Sequence, residues 1–200
     1  VRGIVNGTTN FILTAMGEGG RSYDDVLAEA QAKGYAEADP RGDVEGDDAV
    51  NKLVLLARLA FGTWLEPATI VRTPPTVRGH GRPGITGITS EEMAGAYFLG
   101  LDLKLLAAVE AGTGGRLAAA VMPTCVPQAS PLGGTDGVLN RIEVRAEPGG
   151  DVAFAGPGAG GDATSSAVLG DLLAIARGGG STWAGLAPTA GSPVRADADA

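Results

Sequence analysis

The order of elements in the sequence predicts an α+β fold: a mixed, largely antiparallel sheet with helices packed on one face. Three observations carry that expectation. Apolar residues at helical spacing dominate the first half of the chain, apolar or alternating runs of strand length follow, and one further helical segment closes the patterned part. With 200 residues and 44% hydrophobic content at a mean hydropathy of +0.13, the chain is long enough to bury one sizeable core.

The first helix is expected over residues 9–17 (TNFILTAMG), compact and apolar. Ser22 opens the second, with Asp25 three residues later as in a capping box, Val26 and Ala30 on one face, and Gly34 as the stop. The third spans 46–61, where Val50, Leu53, Val54, Ala57 and Phe61 recur at helical spacing before Gly62. Thr-Ser-Glu-Glu from Thr89 supplies another capping box, for a helix ending near Gly100. Strands are expected over 103–109, 117–122, 138–145 and 151–155. In the third of these Val138, Ile142 and Val144 alternate with Arg141, Glu143 and Arg145. The last helix begins at Asp162 or Ala163 and carries Val168, Leu169, Leu172, Leu173 and Ile175. One domain over 1–177 and a flexible tail over 178–200 complete the plan, the tail being rich in Gly, Ala and Pro without apolar period. Residues 72–82 (RTPPTVRGHGR) read as a polar loop inside the domain.

Charge and composition narrow the function classes. With 23 acidic against 15 basic side chains the net charge is -8, which disfavours nucleic acid and anionic lipid as partners and leaves small molecules or proteins. No apolar run is long enough for a membrane span, and the first residues lack the order of a signal peptide, so a cytoplasmic protein is expected. The single Cys125 forms no internal disulfide, and no cysteine and histidine cluster has metal-ligand spacing, so no metal site is expected. Cys125 reads as structural and His80 as a surface residue.

The densest polar constellation is GYAEADP at 34–40 followed by DVEGDDAVNK at 43–52, which crowds Glu37, Asp39, Asp43, Glu45, Asp47 and Asp48 together. Asp48 and Lys52 stand four apart on a helix and therefore share a face. On a functional reading, Asp48 and Glu37 bind the ammonium and hydroxyl of a small amino acid while Lys52 moves a proton. The same residues also describe an exposed acidic loop entering a helix with one ordinary ion pair. The pattern alone leaves both readings open. Gly156-Pro157-Gly158-Ala159-Gly160-Gly161 formally satisfies G-x-G-x-x-G, yet no βαβ unit follows it, so a Rossmann assignment is rejected and a turn open to close approach remains. In Asn6-Gly7-Thr8-Thr9-Asn10 the side chains either cap the first helix or meet a substrate carboxylate, with Thr8 the candidate contact.

These blocks stand in an order that resembles the homoserine dehydrogenase family over 3–177. The matching pieces are GIVNGTTNFIL at 3–13, GYAEADPRGDVEGDDAVNKLVLLARLAFG at 34–62, GITGIT at 84–89, LKLLA at 103–107 and GPGAGGDATSSAVLGDLLAIAR at 156–177. The resemblance implies that Glu37 and Asp48 bind substrate, beside Thr8 as the candidate carboxylate contact, that Lys52 is the proton donor and acceptor, and that Gly34 and a glycine of the 156–161 turn, with Gly156 and Gly158 the candidates, touch the nicotinamide cofactor NAD(P). It implies interconversion of L-homoserine and L-aspartate 4-semialdehyde, on the way to threonine, methionine and isoleucine, by a homodimer joined through this domain's sheet. The family's nucleotide-binding domain, second active-site lysine and metal-binding segment precede the GIVNGTTN block and are not in these residues. Ser130 stands where many members carry histidine. The chain is therefore expected to be partial and inactive without a Rossmann domain. The alternative is a non-catalytic amino-acid-binding or dimerisation module that lacks cofactor binding.

Overall fold

The computed structural model describes residues 1–72, 82–181, 183–186 and 194–196. In chain order the elements are β1 (Arg2–Ile4), α1 (Gly7–Gly19), α2 (Tyr23–Ala32), α3 (Arg41–Val44), α4 (Asp47–Phe61), α5 (Ser90–Phe98), β2 (Leu101–Ala111), β3 (Leu117–Pro127), β4 (Leu139–Ala146), β5 (Gly150–Pro157) and α6 (Gly161–Ala176). The strands form one sheet in the order β3-β2-β1-β4-β5, and each neighbouring pair is antiparallel. The α+β class is as expected. Among the described residues the only parallel pairings are isolated bridges, Leu65 with Val194 and Val71 with Ala120.

Helical and strand periodicities meet in one core. α1 contributes Ile12, Leu13 and Met16, and α4 contributes Val50, Leu53, Val54 and Ala57. The sheet answers with alternate residues, Leu105, Ala107 and Val109 from β2 and Leu117, Ala119 and Val121 from β3. A smaller cluster of Ile4, Leu106, Val126 and Leu132 lies on the opposite sheet face. Lys104, 2% exposed on that face, donates to Thr135 O and Asp136 Oδ1 at 2.9 Å each.

Helix limits follow their caps. α4 runs between two glycines of positive φ, Gly46 at 87° and Gly62 at 69°. Ser22 accepts from Asp25 N, and the Thr89–Glu92 capping box is formed in both directions. α1 begins two residues before its expected start because Asn6, rather than a threonine, is its cap. β2 and β3 outrun their expected limits: their ladder continues past Pro123, where the apolar run ends, through Leu103↔Cys125 to Leu101↔Pro127.

Two features were not expected. The central strand β1 has only three residues, and Gly3 lies in its middle. A side-chain carbon at Gly3 would stand 2.2 Å from Arg141 O, so β4 can approach only a glycine there. The last helix forms where its apolar pattern predicts, but no residue of α6 is buried. Val168, Leu169, Leu172, Leu173 and Ile175 are all exposed, because no described layer of this chain packs over them. Within 178–200, Trp183 packs against Trp64 at 5.6 Å between ring centroids with the rings tilted by 38°, and Val194 N donates to Trp64 O at 2.7 Å. No helix among the described residues is long and apolar enough to cross a membrane.

Candidate active site

The end of β1 and the start of α1 build one side of the site. Asn6 is the α1 cap: its Oδ1 accepts from Thr9 N at 2.9 Å and from Thr9 Oγ1 at 3.0 Å. Its Nδ2 then donates outward, to Asp43 Oδ1 at 2.8 Å and to Asp48 Oδ2 at 2.9 Å. Asp43 arrives on the single turn of α3, and Asp48 lies in the first turn of α4. The tight link between these helices is pinned by the GITGIT segment, where Ile85 N donates to Val44 O at 2.8 Å. Gly84 passes so close that a side-chain carbon would stand 1.9 Å from Val44 O.

Lys52 completes the cluster. Its Nζ pairs with Asp48 Oδ2 at 2.7 Å and donates to Val5 O at 3.0 Å. An ordinary half-exposed (i, i+4) pair is worth only about 0.3–0.5 kcal/mol and leaves its ammonium free to wander. Here the backbone carbonyl at the end of β1 supplies a second anchor. An ammonium has three N–H donors, so one remains for a third acceptor. The side chains of Lys52 and Asp48 are 44% and 35% exposed, which leaves that donor open to a ligand.

The GYAEADP loop approaches from α2. Gly34, at φ 74°, turns the chain out of that helix. Thr8 Oγ1 donates to Tyr35 O at 2.7 Å, tying the loop to α1, and the Phe11 and Tyr35 rings meet edge to face at 5.0 Å. Gln31 Nε2 donates to Glu37 O at 3.0 Å, while the Glu37 carboxylate is exposed and has no partner among the described residues. Asp39 is held down to about 2 by its hydrogen bonds from Arg41.

The glycine turn lies at the same end of the sheet. Ile4 pairs with Arg141, Gly156 with Asn140 and Pro157 with Leu139, so the end of β1, the start of β4 and the end of β5 are level. Gly7 abuts Val138, where a side-chain carbon would stand 2.8 Å from its carbonyl oxygen. Gly158 passes Asn140 so closely that a side-chain carbon would stand 1.9 Å from Asn140 Nδ2. An open hollow is lined by Pro157, Ala159, Gly160, Gly161 and Asp162.

Of the residues singled out from sequence, the structure joins Asp48 to Lys52 by direct contact and Thr8 to the loop that carries Gly34 and Glu37. It sets Gly156 and Gly158 at the same sheet end without a direct bond to Lys52. In sequence Asn6 reads only as a cap or substrate contact, and Asp43 only as part of an acidic run; their mutual bond depends on β1, which carries no readable strand signal. Ser130 Oγ accepts from Gly133 N at 3.1 Å and closes a local turn. Cys125 is exposed on β3, and partial desolvation raises its thiol pKa, which lowers the thiolate fraction. His80 lies outside the described residues. Among the described residues no group of three or more His, Cys, Asp or Glu side chains is arranged to hold a metal.

Comparisons with known proteins converge. A family model described as homoserine dehydrogenase matches residues 1–173. The homoserine dehydrogenase of Mycobacterium leprae is 45% identical over 181 residues, covering 88% of this chain and 39% of that protein. That of Bacillus subtilis is 40% identical, covering 86% and 37%. A crystal structure of a homoserine dehydrogenase from Thiobacillus denitrificans superposes with a TM-score of 0.79 at 38% identity, covering 88% of this chain and 38% of that one. A hyperthermophilic archaeal homoserine dehydrogenase solved in complex with NADPH superposes at 0.68 with 28% identity, covering 90% and 48%. The chain thus spans about two fifths of the length of the curated relatives it matches.

Proposed function

Because this chain belongs to the homoserine dehydrogenase family, we propose that it is the substrate-binding and catalytic domain of an NAD(P)-dependent homoserine dehydrogenase interconverting L-homoserine and L-aspartate 4-semialdehyde. The observation that carries this reading is the Lys52 ammonium, held by Val5 O and Asp48 with one N–H unspent. When bound, the nicotinamide supplies or accepts the hydride at the carbonyl carbon. Negative charge then develops on the carbonyl oxygen, where the free Lys52 N–H stabilises it and delivers the proton. In the reverse direction Lys52, in its neutral form, accepts the homoserine hydroxyl proton.

Asp48 holds Lys52 in place and, with Glu37, receives the substrate ammonium. The unpartnered, exposed Glu37 carboxylate suits that role, and orientation of the substrate is the benefit. Thr8 binds substrate at the α1 N-terminus through its backbone amide, which favours a carboxylate, while its hydroxyl proton is committed to Tyr35 O. Gly34, Gly156 and Gly158 border the nicotinamide: the glycine turn offers backbone without side chains beside an open hollow, which fits a flat ring that must come close. Most of the NAD(P) site belongs to a Rossmann domain outside these residues, since the G-x-G-x-x-G here lacks its βαβ unit, and the chain alone is inactive without that domain. The enzyme is a cytoplasmic homodimer joined through this domain's sheet and serves threonine, methionine and isoleucine biosynthesis.

The test is Lys52→Ala in the enzyme expressed from its full reading frame. Turnover should fall by about 100-fold or more, the usual worth of a positioned proton donor, while homoserine binding measured by calorimetry stays near that of the wild type. Near-normal turnover would remove Lys52 from the chemistry.

A further inference from the structure

We propose that Asn6 is a positioning residue of this site: its side-chain amide, locked in one orientation by the α1 cap, clamps Asp43 to Asp48 and thereby sets the carboxylate that aims Lys52. The inference rests on the functional reading above and adds to it a residue that touches neither substrate nor cofactor.

The orientation of the amide is determined by its partners. Oδ1 accepts from both Thr9 N and Thr9 Oγ1, and only an oxygen can do so toward the backbone N–H. Nδ2 must then point the other way, and both of its protons find carboxylate oxygens, Asp43 Oδ1 at 2.8 Å and Asp48 Oδ2 at 2.9 Å. Two carboxylates drawn to one nitrogen repel each other, and the two donated protons offset that repulsion without adding a charge.

Asp48 Oδ2 is also the atom that meets Lys52, and Lys52 in turn donates to Val5 O, one residue before Asn6. The bonds therefore close a ring, from the Val5 carbonyl through Lys52 and Asp48 to the Asn6 amide and back along the chain. The anchored end of the ring is buried, Asn6 being 5% exposed, while the ammonium end is open. A buried neutral group thus fixes the direction of a half-exposed lysine. Capping alone does not require asparagine, since Asp and Ser cap a helix as well. The double donor does require it, because Asp has no N–H and Ser has a single proton on a shorter arm.

Asn6→Asp and Asn6→Ser separate the two roles, because both keep the cap and both lose the clamp. In the enzyme expressed from its full reading frame, Asn6→Asp should lower kcat/KM for homoserine by about 100-fold and Asn6→Ser by about 10-fold, the range expected for lost hydrogen bonds to charged groups. Both kcat and the homoserine KM should move, whereas the KM for NAD(P) should stay within about twofold. Asn6→Ser introduces no buried charge, so it keeps the question answerable if Asn6→Asp folds poorly. Wild-type homoserine kinetics in Asn6→Ser would overturn the clamp and leave the enzyme assignment standing. So would a loss that raises both KM values together with a lower Tm, which marks a structural role. A wild-type enzyme without homoserine turnover overturns the assignment beneath it and the proposal with it.

Discussion

The two halves of the sheet, largely apolar in β2 and β3 and alternating with charge in β4, meet different surroundings. β2 and β3 lie beneath α1 and α4, with Leu105, Val109, Leu117 and Val121 all buried. β4 and β5 carry Val152 at 47% and Phe154 at 65% exposed, and α6 beyond them buries nothing. Burial, rather than composition, decides what an apolar residue contributes: about 25 cal/mol for each Å² removed from water, and nothing where water remains. The first half holds the Lys52 cluster on a support of its own. The second carries the glycine turn on a hairpin and helix with little cover, and so lends the fold less.

Paired substitutions can break this contrast. Leu53→Ala, in α4 at 0% exposed, should cost about 2–5 kcal/mol in urea unfolding, since it leaves a cavity in the first half. A loss below about 1 kcal/mol would mean that this core is loosely packed. Next in size is an alkaline effect on the same half. Burial, with the charges of Asp24 and Glu45 nearby, pushes the Tyr23 phenol from 10.0 up to about 12. A folded pKa above the unfolded one means that the stability linked to the neutral phenol is complete below pH 10 and is lost as pH rises toward 12. Thermal melts across that window should fall more steeply for the wild type than for Tyr23→Phe, and equal slopes would reject the assignment. Smallest is Leu172→Ala on α6, expected within about 0.5 kcal/mol of wild type. A cost of about 2 kcal/mol there would show that α6 is covered in solution.

What could be read in the sequence follows the range of the forces involved. Helices announced by local signals, Ser22, the Thr89 capping box and Gly62, stand where those signals put them. Asp48 and Lys52 share a face because helical geometry alone puts them there. β2 and β3 run longer than their apolar stretches because pairing, not hydrophobicity, carries a ladder past Pro123 and Cys125. β1 had no signal of its own: three residues, one a glycine, become a strand only because two neighbours flank them. Asn6 and Asp43 stayed unreadable for the same reason, since their bond spans 37 residues and exists only once β1 has set the start of α1. The lack of cover on α6 was invisible too, because an apolar stripe specifies burial without naming what supplies it.

The position of β1 also has a consequence in time. It is synthesised before either neighbour, yet Val1 must wait for Val109, 108 residues on, and Arg2 for Glu143, 141 residues on. Pairings of such long separation close late, because the intervening chain must first give up its freedom. Val5 O and the Asn6 amide come into register only with that closure. An intermediate in which α4 is formed and β1 is still unpaired would carry Asp48 and Lys52 on a common face but lack the Val5 O and Asn6 contacts, so in the enzyme expressed from its full reading frame the proposed activity should return on refolding with the pairing of β1 and not with the helices.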